Sequence, residues 1–193
     1  MEAFSGPGAA FMYAITAVLA LSVAVVIERT WLYWVAWRHS AAAVEQALKE
    51  GDLSAAMAHA GRHPGARLMA AGSEAADADA AWDAMGTVAS LVESDVRARV
   101  GYLAAAGNVA TMLGLLGTVY GLIFAFSGLD AASSVERTAR LSEGIGAAMT
   151  TTAWGLVVGI PALAAHAVLE GRSARVLAEC EALAAHVALF KRR

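Results

Sequence analysis

The sequence predicts an all-α membrane protein with three transmembrane helices, long cytoplasmic helical extensions and a homo-oligomeric state. Three observations carry that prediction. Residues 3–27, 107–129 and 144–168 each run without an Asp, Glu, Lys or Arg, and about 20 apolar residues suffice to cross a bilayer. The 193 residues are 59% hydrophobic and only 16% charged, with mean hydropathy +0.56, which is too apolar for an ordinary soluble domain. Small residues recur at helical spacing in the second and third charge-free runs, giving each a seam along which helices can approach closely.

Taken in order, residues 1–8 form an N-terminal tail and 9–28 the first transmembrane helix. The start, MEAFSG, lacks a basic n-region and no A-x-A-like cleavage pattern precedes Glu28, so this helix is expected to stay as an anchor. Trp31, Tyr33, Trp34 and Trp37 crowd its far end, where amphipathic rings sit at the headgroup level, and Glu28 and Arg29 mark the interface. Residues 29–100 form a cytoplasmic helical region, rich in Ala and in charges at helical spacing. Short helices there break at Gly51-Asp52 and near Pro64-Gly65, with Asp52 as an N-cap. A further helix starts near Asp77 or Asp79 and is expected to run unbroken into the second span, since nothing stronger than Gly86 or Gly101 interrupts it.

Residues 101–127 are the second transmembrane helix, 128–142 an outer loop, 143–168 the third transmembrane helix and 169–193 a cytoplasmic C-terminal helix. Twelve of the 14 Lys and Arg lie in 29–99 or 172–193, and the connection between spans two and three holds only Arg137 and Arg140. The positive-inside rule therefore places the N-terminus outside and the C-terminus in the cytoplasm. The terminal Lys191-Arg192-Arg193 suits a helix C-terminus and anionic lipid headgroups better than nucleic acid.

The spans sort their residues by face. Gly107, Gly114, Gly117 and Gly121 form one seam, and Ala148, Thr152, Gly155, Gly159, Ala162 and His166 form the other. Pro161 joins Gly114, Gly117, Gly121, Gly155 and Gly159 as the helix-packing set. Thr111 and Thr118 share a mildly polar face with Asn108, and Thr150, Thr151 and Thr152 stand in a row. Two readings of these hydroxyls stay open: back-bonding to the carbonyl one turn earlier, or lining a hydrated path for which Thr118, Thr152, Thr151 and Thr111 are the candidates. No carboxylate lies near the centre of either span, so a titrating acid in the membrane belongs to another chain.

Other chemistries find little support. Cys180 is the single cysteine, which excludes an intrachain disulfide, and the five His at 39, 59, 63, 166 and 186 form no metal-ligand pattern. No cofactor and no metal are expected. No motif groups a nucleophile with a base, and the glycines of GLLGTVYG lie inside a span rather than between a strand and a helix.

GLLGTVYGLIFAF at 114–126 followed by GIGAAMTTTAWGLVVGIPALAAH at 144–166 resembles the membrane core of the MotA/TolQ/ExbB proton-channel family, in its ExbB/TolQ branch. The likeness extends upstream through VIERTWLYW at 26–34 and GDLSAAMAHAGRHPGARLMAAG at 51–72. The resemblance implies a channel and stator subunit of a bacterial inner membrane, with its N-terminus and the 128–142 loop in the periplasm, that forms a homo-oligomer, usually a pentamer, around an ExbD/TolR-like single-span partner carrying a membrane Asp. Together they would use the proton motive force to drive envelope transport, envelope maintenance or motility. The family's pore-lining threonines fall on Thr118 and Thr152. The chain departs from the family pattern at Ala110-Thr111, in place of an Ala-Pro pair; at Ala147, where many members carry a Glu; and at His166-Ala167, in place of Tyr-Asn. The alternative is a solute-carrier component or a passive membrane scaffold.

Overall fold

The computed structural model describes residues 8–38, 40–127 and 133–192. These are mostly helical, with no strand among them: α1 Ala9–Trp31, α2 Ala41–Glu50, α3 Leu53–Ala60, α4 Gly65–Ser73, α5 Ala78–Arg97, α6 Val100–Ser127 and α7 Ser134–Lys191. Three helical stretches, Ala9–Ala36, Ala78–Ser127 and Ser134–Lys191, are long and apolar enough to cross a membrane. The first seven residues, much of the expected loop at 128–142 and Arg193 lie outside the described residues. The described part of that loop is shorter than the sequence suggests, because α7 begins at Ser134. Ser133 Oγ accepts from the Glu136 N–H at 3.2 Å, the start of a Ser-x-x-Glu capping box.

The chain divides into two compact units. One comprises the described residues up to Val26 together with Gly101–Ala167. Here α1, α6 and α7 pack around Ile15, Ala110 and Val158, with Val18, Leu19, Leu113 and Trp154 against them. Trp154 Nε1 donates to Thr16 Oγ1 at 3.2 Å, tying α7 to α1. Most other large side chains point outward, Met112, Leu115, Ile123, Met149 and Ile160 among them, each more than 60% exposed. Lipid or a partner helix is the solvent such a surface needs.

The other unit comprises Ile27–Val100 and Val168–Arg193. α2 closes on Gly51, whose φ of +80° only glycine adopts freely. Asp52 then caps α3, accepting from the Ala55 N–H at 2.9 Å, and this bond with that of Ser54 holds its carboxyl below the usual range. Asp77 caps α5 in the same way, through the Ala80 N–H at 2.8 Å. Leu68, Met69, Met85, Val92, Val176, Cys180 and Val187 are buried in this unit's core. Lys191 Nζ donates to the Ser73 and Ala75 carbonyls at 2.9 and 2.7 Å, a cationic cap on the end of α4.

One expectation fails. The helix from Asp77 does not run unbroken into the second span: Ala98 leaves the helix at φ −51° and ψ 137°, and Arg99 has φ +63°. In a continuous helix the Asp95 and Val96 carbonyls would accept from residues 99 and 100. Here Arg29 donates to the Asp95 carbonyl at 3.3 Å, and Tyr33, 1% exposed, to the Val96 carbonyl at 2.6 Å. Arg99 pairs with Glu28 at 2.6 Å. Tyr33 stands in a π-helical turn, Leu32–Ala36, that continues α1.

Candidate functional site

The two glycine seams meet each other within one chain. A Cβ built on Gly155 would lie 2.7 Å from the Ala110 carbonyl oxygen and 2.9 Å from Gly114 Cα; one on Gly159 would lie 2.9 Å from the Gly107 oxygen. On Gly121 it would lie 2.7 Å from the Gly144 oxygen, and on Gly117 2.6 Å from Thr151 Cβ. α6 and α7 therefore run together at backbone contact over four turns, which requires residues without side chains. The seams were the sequence's argument for self-association. Their packing is satisfied inside the chain, so that argument passes to the outward-facing residues. Pro161 lies in α7 one turn beyond Val157, whose carbonyl it cannot serve as donor, yet the helix continues through it.

Close approach brings Thr118 of α6 and Thr152 of α7 into hydrogen-bonding contact through their hydroxyls. Both also reach one acceptor, the Gly114 carbonyl, at 3.2 Å from Thr118 Oγ1 and 3.1 Å from Thr152 Oγ1. Two hydroxyl hydrogens serve this cluster. Either Thr118 donates to the carbonyl and Thr152 to Thr118, or Thr152 donates to the carbonyl and Thr118 to Thr152. The two arrangements interconvert by rotating hydroxyls, and in each the oxygens keep lone pairs for an outside donor. Both threonines are half-buried. One turn away on each helix stand exposed Leu115, Leu122, Met149 and Leu156.

The other candidates lie apart from this pair. Thr151 is 1% exposed, with its side chain against Gly117 and its hydroxyl donating to the Ala147 and Ala148 carbonyls at 3.1 and 2.9 Å. It fills the interface between α6 and α7 rather than an open face. Thr111 back-bonds to the Gly107 carbonyl at 2.9 Å, and Thr150 to Gly146 at 2.8 Å. The hydroxyls divide by position: Thr111, Thr150 and Thr151 donate to carbonyls of their own helix, while Thr118 and Thr152 meet each other and share the Gly114 carbonyl, joining two helices. Sequence reasoning missed the Gly114 carbonyl as their shared acceptor. The available signal was Gly four residues before Thr118, which leaves that carbonyl open to a second helix.

Comparison with known proteins follows this geometry. The profile of the MotA/TolQ/ExbB proton channel family matches residues 50–182. The biopolymer transport protein exbB1 of Vibrio cholerae serotype O1 is 41% identical over 75 residues, 39% of this chain and 33% of that protein. The biopolymer transport protein ExbB of Salmonella typhimurium is 34% identical over 93 residues, 48% of this chain and 38% of its own length. The Tol-Pal system protein TolQ of Pseudomonas aeruginosa is 34% identical over 90 residues, 47% of this chain and 38% of that protein. The aligned part thus spans little more than a third of these relatives.

Proposed function

Because the chain belongs to the MotA/TolQ/ExbB proton channel family, in its ExbB/TolQ branch, we propose that it is the channel and stator subunit of an inner-membrane motor driven by the proton motive force. The observation that supports this reading most is the Thr118–Thr152 hydroxyl pair on the Gly114 carbonyl. It is a polar link between two helices within stretches, 107–127 and 144–168, that hold no Asp, Glu, Lys or Arg.

In this proposal several copies of the chain, a pentamer in the family's manner, surround an ExbD/TolR-like single-span partner whose membrane Asp faces the threonines. The uncovered rim of Leu115, Leu122, Met149 and Leu156 supports such a neighbour. A carboxylate in a low-dielectric site has its pKa raised by desolvation, and hydrogen bonds to its charged form lower it again. The hydroxyl pair is suited to that second task, since turning one O–H outward needs no helix movement. The N-terminus lies in the periplasm and residues 29–100 and 169–193 in the cytoplasm, as the Lys and Arg distribution requires. Two of the relatives above carry biopolymer transport in their names, and we take that as the work powered.

The test is Thr118→Val with Thr152→Val in the assembled complex. Valine keeps the branched shape and deletes both hydroxyls. Expected is an intact complex with proton flux and motor output reduced at least tenfold. Wild-type flux and output from the double variant would confine these hydroxyls to helix packing and remove the proposal's support.

A further inference from the structure

Beside the break at Ala98–Arg99 lies a cleft of about 500 Å³, wholly within residues 27–100, whose lining includes Arg29, Arg62, Arg67, Arg99, Trp37 and Asp95. Its charge does not balance. Asp95 pairs with Arg67 at 2.6 Å, and Glu28 with Arg99 at 2.6 Å while lying 3.4 Å from Arg29. Four guanidinium groups against two carboxylates leave two positive charges in excess, with Glu28 shared between Arg29 and Arg99. Arg62 is exposed and has no ion-pair or hydrogen-bond partner among the described residues. Arg29 is 5% exposed, and its buried Nε has no acceptor among the described residues. An unanswered donor on a buried cation is costly, and charged donors cost more than neutral ones.

We propose that this cleft binds a phosphate-bearing anion, supplied in the membrane by the headgroup of an anionic phospholipid. The guanidinium fork matches phosphate oxygens in pairs. The sequence places the cleft at headgroup level: Arg29 follows the end of the first charge-free run by two residues, and Arg99 is the last charged residue before the second, with none between it and Asp130. Trp37 supplies the amphipathic ring that such a depth favours. Basic pockets beside transmembrane helices are where acidic headgroups lodge. A bound phosphate would answer Arg29 Nε and also brace the residues that hold the Asp95 carbonyl.

This inference rests on the membrane assignment and is independent of proton conduction. The experiment is native mass spectrometry of the full chain in neutral detergent, titrated with phosphatidylglycerol, phosphatidylcholine or inorganic phosphate. Expected is retention of phosphatidylglycerol about tenfold better than phosphatidylcholine. Arg62→Gln should weaken it about fivefold, equivalent to the ~1 kcal/mol that one basic side chain contributes near a charged surface. Arg62→Lys should restore most of it, and Arg137→Gln, outside the cleft, should change nothing. Displacement of the lipid by millimolar inorganic phosphate would assign the free anion as a second occupant. Its failure to displace would leave the lipid headgroup as the one that fits. Equal retention of the two lipids, or full phosphatidylglycerol retention by Arg62→Gln, overturns the proposal. Thr118→Val with Thr152→Val serves as the separating control, since it should leave lipid retention untouched whatever it does to proton flux.

Discussion

Alanine placed at Gly155 and at Gly146 should move stability in opposite directions, although both residues lie inside α7. In a helix interior, replacing Gly by Ala gains about 0.5–1 kcal/mol from the lower backbone freedom of the unfolded chain. Gly146 has nothing within 4 Å of its added Cβ, so it keeps that gain. At Gly155 the Cβ would sit 2.7 Å from the Ala110 oxygen, about 0.7 Å short of the 3.4 Å at which ordinary contact begins. The obstacle is backbone, which cannot rotate away, so α7 must back off from α6. Overpacking of this kind costs about 1–3 kcal/mol. The propensity gain cancels between the two variants, so their difference, about 1–3 kcal/mol, isolates the contact. Gly114, with 3.1 Å to the Thr151 oxygen, should fall between them. The assay is denaturant-driven unfolding in mixed micelles, followed by circular dichroism. A retreat of α7 by that amount also carries Thr152 Oγ1 beyond hydrogen-bonding reach of the Gly114 carbonyl, now 3.1 Å away. Gly155→Ala should therefore lose proton flux along with stability. Equal stability of Gly155→Ala and Gly146→Ala would refute the intrachain seam and return Gly155 to a lipid or subunit interface.

Three further outcomes are expected. Tyr33→Phe keeps the ring and removes the donor to the Val96 carbonyl; it should destabilise residues 27–100 by about 1–3 kcal/mol, read as faster hydrogen exchange around residues 96–100, and unchanged exchange would mean that carbonyl is served by another donor. The Cys180 thiol is pushed up to about 12 by burial, with Glu179 and Glu181 adding to it, so N-ethylmaleimide at pH 8 should label it only after denaturant is added. The same shift means that the stability this thiol contributes is complete below its unfolded pKa near 9 and is lost as pH rises through about 12; rapid labelling of the native protein would count against the burial. Single cysteines at Ser133 and Arg192 should react with impermeant maleimide from opposite sides of the membrane, and labelling from one side alone would remove the three-span topology.

The three spans were legible because charge is expensive in hydrocarbon: the runs ending at Ile27, Leu129 and Val168 announce themselves by what they lack. The glycine periodicity was legible too, yet spacing along one helix says nothing about who fills the groove. Gly114 and Gly155 could equally have met a neighbouring copy, and only the paired distances show them meeting each other. Thr151 and Thr152 differ by one step in sequence and by roughly 100° around the helix. That step puts one against Gly117 and the other against Thr118. The interruption at Ala98–Arg99 had no local signature, since neither residue breaks helices. Its causes, Arg29 and Tyr33, lie 66 and 63 positions from the carbonyls they serve.

Because the donors at that interruption come from so far along the chain, α5 and α6 have two conformational fates, set by whether residues 28–33 are present to serve them. An isolated segment spanning residues 78–127 meets only its own amides, and those favour one uninterrupted rod. The left-handed turn at Arg99 becomes worth adopting only once Tyr33, Arg29 and Glu28 have docked. A synthetic peptide of residues 78–127 in micelles should show helical amide connectivities straight through Ala98 and Arg99, where the complete chain shows a gap.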